Sequence, residues 1–103
     1  MYHEEFSLRL ARLRSTKGVS ARDMSLSIGQ NAGYINTIES GKALPSMSAF
    51  FFICEYLHIS PQEFFDEENK MPEKLRGIIE DLKKLNPGQL ESIAGLVKEL
   101  ANK

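Results

Sequence analysis

Gly33, Tyr34, Asn36 and Thr37 form the polar side of a short segment whose other side carries Ile35 and Ile38, three residues apart. A small polar face of this kind, with an amide and a hydroxyl side by side, does hydrogen-bonding chemistry. Mounted on a short supported helix, it suits insertion into a DNA major groove. The segment lies in Gly29-Gln-Asn-Ala-Gly-Tyr-Ile-Asn-Thr-Ile-Glu39, followed at once by Ser40-Gly41-Lys42. Asn31 is expected to cap the helix by accepting from its first free amides. Gly41, tolerant of positive φ, is expected to end it. So short a helix is marginal alone and must be held by packing.

Other chemistries find little support. There is no nucleophile with a base, no carboxylate pair on an apolar background and no glycine loop to cradle a phosphate, so no enzyme activity or cofactor is expected. His3 and His58 have no Cys or acidic partners at metal-ligand spacing, so no metal is expected either. The single cysteine, Cys54, falls in an apolar helix, where packing is its natural role.

The elements that must position the polar face read clearly. Phe6, Leu10 and Leu13 follow a helical period, with Arg9, Arg12 and Arg14 between them, and Lys17-Gly18 ends that helix. Ser20 caps a second short helix with Met24 and Ile28 inward, and Ser25 sits where crossing helices need close approach. Gly29 makes the turn. Two short helices joined by a turn containing Gly are the helix-turn-helix pattern.

Over Phe6 to Phe65 the sequence resembles the lambda-repressor-like, Cro/XRE family of helix-turn-helix regulators. The carriers are Leu10-Ala-Arg-Leu-Arg14, Lys17-Gly-Val-Ser20, Ile28-Gly29, Tyr34-Ile-Asn-Thr-Ile-Glu-Ser-Gly-Lys42, Pro45-Ser46 and Ile59-Ser-Pro-Gln-Glu-Phe-Phe65. The resemblance implies an all-α fold: a five-helix DNA-binding domain, here residues 1–66, whose third helix reads the major groove. It implies that Arg14 and Glu39 form an ion pair bracing the first helix against the third. It puts Ala32, Gly33, Asn36 and Thr37 at base-facing positions. Phosphate contacts fall on Ser20, Ser40 and Lys42, with Arg22, Asn31 and Tyr34 beside them as further candidates.

Two departures from the family pattern matter. Ala21 stands where the family usually places a phosphate-binding Gln, and Ala32 and Gly33 cannot make the bidentate contacts of Arg or Gln. Gly33 inside a helix would cost about 1 kcal/mol relative to Ala. Either something approaches the backbone closely there or the position is a tolerated weak spot. Base readout is expected to rest on Asn36 and Thr37, with Ala32 available for a thymine methyl.

The 103 residues carry a net charge of −1, unusual for a nucleic-acid binder. The charge is uneven, however. Residues 1–44 hold six cations against four anions, and residues 45–103 hold seven against ten. The helix-turn-helix is therefore the positive end, but weakly, and each copy is expected to bind duplex DNA modestly. No stretch of about 18 apolar residues occurs, and Met1-Tyr-His-Glu-Glu lacks the apolar run of a secretory signal. A cytoplasmic protein with no membrane partner is expected.

The segment from Ser46 to Leu57 is apolar nearly all round. Met47, Phe50, Ile53, Cys54 and Leu57 fit a core face, while Phe52 and Tyr56 form a second stripe that something must cover. After a charged linker at 67–71, residues 72–103 read as a two-helix hairpin. Leu75, Ile78, Ile79, Leu82 and Leu85 line its first helix, and Asn86-Pro87 starts a second with Leu90, Ile93, Leu96, Val97 and Leu100. Two helices of this size bury too little alone. The hairpin either extends its own domain's core or joins two copies. The favoured reading is a homodimer, with Phe52, Tyr56, Leu82, Ile93, Leu96, Val97 and Leu100 in the interface.

The expected function is a sequence-specific regulator binding double-stranded DNA, a repressor acting as a dimer on a two-fold site. The alternative is a module that keeps the fold but regulates through a protein partner.

Overall fold

The computed structural model describes residues 2–102, and among these every regular element is helical. The helices are α1 (Tyr2–Lys17), α2 (Ala21–Ser27), α3 (Tyr34–Glu39), α4 (Met47–Leu57), α5 (Pro61–Phe64), α6 (Pro72–Leu82) and α7 (Pro87–Ala101). The chain divides into two compact units, residues 1–73 and 74–103.

Helix starts follow local chemistry. Ser20 Oγ accepts from Asp23 N at 2.9 Å and Ser46 Oγ from Ala49 N at 3.1 Å. Ser60 with Glu63, and Asn86 with Gln89, close reciprocal capping boxes, each followed by proline in the first turn. Gly29 and Gly41, both at φ 79°, end α2 and α3 in a backbone conformation that a Cβ would strain.

The core of the first unit joins Leu10 and Leu13 of α1, Met24 of α2, Ile35 and Ile38 of α3, and Phe50, Ile53, Cys54 and Leu57 of α4. Phe64 of α5 completes it, its ring 4.9 Å from Phe6 and 5.1 Å from Phe50 between centroids. Burial pushes the Cys54 thiol up to about 11, so it stays protonated and packs as an apolar group.

One expectation is corrected and two features are added. Met47 does not close the core. As the first residue of α4 it lies 67 % exposed, and Ala49 is buried instead. Arg9 is no surface cation: it is buried, donating from Nε to Phe64 O at 2.5 Å and from Nη2 to the carbonyls of Glu63, Asp66 and Asn69 at 2.7–3.0 Å. Desolvation lowers its pKa, and four carbonyls accept from its Nε and Nη2. The same bonds tie Asp66 and Asn69 to α1, at the start of the charged stretch before α6.

In the second unit, α6 and α7 are joined by the turn at 83–86. No residue of α7 is buried, and Ile93, Leu96, Val97 and Leu100 remain 36–59 % exposed.

The hinge between α2 and α3 is a buried hydroxyl. Ser25 Oγ donates to Ala21 O at 2.7 Å and accepts from Ile35 N at 2.9 Å. Ser25→Ala strands that buried amide, at a cost of about 1–3 kcal/mol. Urea denaturation of the two proteins is expected to show a lower midpoint at unchanged slope.

Candidate nucleic-acid interface

Helix α3 has six residues, so few of its own hydrogen bonds hold it. Ile35 and Ile38, both 1 % exposed or less, sink one side into the core. The other side presents Asn36 and Thr37 to solvent.

The N-terminal end departs from expectation. Asn31 is not the cap. The helix begins at Tyr34 with Gly33 in the cap position, and Ala32 and Gly33 form the preceding turn. Asn31 Oδ1 accepts from Gly33 N at 3.1 Å, closing a turn on the amide two residues on. The second amide of the helix is satisfied instead by Ser25 from α2. Gly33 therefore lies outside the helix interior, and the propensity cost anticipated for it does not arise. A Cβ there would meet only Asn31 Oδ1, at 3.7 Å, an ordinary contact. No close approach within the chain requires glycine.

The C-terminal end is clamped three ways. Ser7 Oγ donates to Ile38 O at 2.7 Å, a bond inside the core. Arg14 grips Glu39 through both carboxylate oxygens, Nε–Oε2 at 2.6 Å and Nη2–Oε1 at 2.9 Å, and its Nη1 donates to Val19 O at 2.8 Å. That bidentate grip raises the Arg14 pKa. Finally Gly41 N bonds Ile38 O at 3.0 Å and Lys42 N bonds Thr37 O at 3.2 Å, capping the last carbonyls.

Around this clamped helix the remaining site residues distribute unevenly. Ser20, Arg22, Asn31, Ser40 and Lys42 are exposed, whereas Ala32 is half-buried. Tyr34 is half-buried against the core, and desolvation raises its hydroxyl pKa. Ser40 Oγ donates to Thr37 O at 2.9 Å, leaving its lone pairs outward. Of the cations in residues 1–44, Arg9 and Arg14 are engaged internally, and Lys17 Nζ lies 5.5 Å from the Tyr56 ring centroid. Arg12, Arg22 and Lys42 are exposed as well, and of these Arg22 and Lys42 lie within or next to α2 and α3.

A helix-turn-helix domain family model matches residues 8–70, which covers the later part of α1, all of α2 to α5 and the segment that Arg9 ties down. The chain belongs to the helix-turn-helix domain family. A solved structure agrees: the restriction-modification controller protein C.AhdI from Aeromonas hydrophila is 28 % identical, with a TM-score of 0.58 over 61 % of this chain and 91 % of that one. Among proteins of curated function, none matches this chain. The resemblance to lambda-repressor-like regulators holds, and this helix-turn-helix protein is a DNA-binding transcription regulator. No helix among the described residues is long and apolar enough to cross a membrane.

Sequence reasoning passed over Ser7 and Arg9. Both lay on the inward face of α1 by spacing, Ser7 three before Leu10 and Arg9 four before Leu13. A polar residue in register with an apolar stripe was the available signal. It marked hydrogen bonds into the core.

The Arg14 and Glu39 side chains are 20 % and 12 % exposed, between a surface pair and a buried one. Glu39→Ala is expected to destabilise the protein by about 1–3 kcal/mol, less than full burial would give. A thermal melt checks this, and the same variant is expected to bind duplex DNA more weakly because α3 loses its brace.

Proposed function

We propose that the protein is a repressor that occupies a two-fold operator as a homodimer, with α3 of each copy in the major groove. The observation that carries the DNA contact is the clamping of α3: both ends are bonded to other helices, and its free side is polar and exposed. Ser20, Arg22, Asn31, Tyr34, Ser40 and Lys42 are assigned to phosphates, and Ala32, Gly33, Asn36 and Thr37 to base edges. The likeness to a restriction-modification controller supports a regulator. We assign it no catalytic role and place it in the cytoplasm.

Dimerisation rests on two considerations. The few exposed cations of residues 1–44 give each copy little phosphate affinity, and doubling the half-sites offsets that. The second is the open apolar face of Ile93, Leu96, Val97 and Leu100, with Leu82 half-buried on α6. In the first unit Phe52 stays 53 % exposed while Tyr56 is half-buried under Lys17, so Phe52 is the part of that stripe left to meet a partner. The exposed run of Met47, Phe51 and Phe52 on α4 favours the alternative, a protein partner seated there.

Lys42→Ala is expected to weaken binding to all duplexes alike and to lower the salt slope by about one, the signature of one lost phosphate contact. Titrations over a range of salt concentrations read this directly. If Lys42→Ala and Asn36→Ala both bind duplexes as tightly as the wild type, the protein-binding alternative takes over.

Sedimentation of the full chain at tens of micromolar is expected to give a dimer. Leu96→Glu, which puts a charge on the open face, is expected to give a folded monomer without preference for palindromic sites. A wild-type monomer refutes the dimer.

A further inference from the structure

We infer that the half-site read by α3 is built on A·T pairs: adenine by the Asn36 amide, flanked by thymine methyls packed against Thr37 and Ala32. This deepens the DNA-binding reading and rests on it. The argument starts from Thr37, whose Oγ1 donates to Gly33 O at 3.0 Å, across one turn. With that proton engaged, Thr37 has no donor for a base and offers its γ-methyl without breaking the bond. Ala32, in the turn before the helix, offers only a methyl. Gly33 offers no side chain at all.

Each base edge in the major groove asks for particular partners. Guanine presents two acceptors, which Arg or Lys fills with paired donors. None of Ala32, Gly33, Asn36 and Thr37 is cationic, and Thr37 has its proton occupied, so guanine finds no paired donors on this face. Adenine presents one acceptor and one donor side by side, and a carboxamide matches both at once. Asn36 is the exposed carboxamide of α3. Thymine adds a methyl, which small apolar groups recognise. One amide between two methyl donors of surface is thus matched to adenine among thymines.

The experiment selects sites from random duplexes with the full chain, then alters the selected half-site one base at a time. Deoxyuridine in place of thymine removes only the methyl. Two such replacements are expected to weaken binding about fourfold each, the worth of one buried methyl group. Thr37→Ser keeps the hydroxyl and deletes the methyl, and with it one of the two uridine penalties is expected to vanish. Exchanging the central A·T pair for G·C is expected to cost roughly 5- to 100-fold in the wild type, and that gap closes in Asn36→Ala. Tight binding to a G·C-centred half-site, or indifference to uridine at every thymine, overturns the A·T assignment while duplex binding stands. Selection of no duplex at all removes the regulator reading, and the assignment falls with it.

Discussion

A helix of six residues leaves most of its amides and carbonyls without intrahelical partners, so α3 exists because other elements complete it. The bond on which this depends most is the one from Ile35 N to Ser25 Oγ, buried between α2 and α3. It fixes where the helix begins, how it is rotated against α2, and therefore which side chains remain outside. With Ile35 and Ile38 in the core, Asn36 and Thr37 must face outward. The clamps from Ser7 and Arg14 then fix the far end against α1. The exposed side of α3 is held from the opposite side, by bonds to other helices.

Much of this was legible in the sequence. The apolar periods of α1 and α4, the serine caps and the glycines at φ 79° are local signals, and they determine where helices start and stop. The Arg14–Glu39 pair was legible only through the family resemblance, since no local pattern links residues 25 apart. What escaped was long-range polar bonding. Ser25 could be read as a small residue, but not as the group that caps α3 in place of Asn31. Arg9 could be counted as a charge, but its carbonyl partners lie 54–60 residues away. Spacing tells which face a residue is on, and only the fold tells what meets it there.

The accounting of charge changes as a result. Six cations in residues 1–44 suggested a basic face, yet two of them serve the interior and a third lies over an aromatic ring. The electrostatic attraction to a phosphate backbone is correspondingly slight. What the exposed side of α3 presents instead is mostly uncharged, an amide and a hydroxyl at Asn36 and Thr37.

The open space at Gly33 separates surface from frame. A Cβ added there would meet only Asn31 Oδ1, and the backbone is in no conformation that demands glycine. Neither Asn36 nor Thr37 contributes to the apolar core. The exposed side chains of α3 are thus separate from those that build the core. Gly33 is a vacancy of one residue in a finished scaffold, a place where a β-carbon fits without displacing what surrounds it.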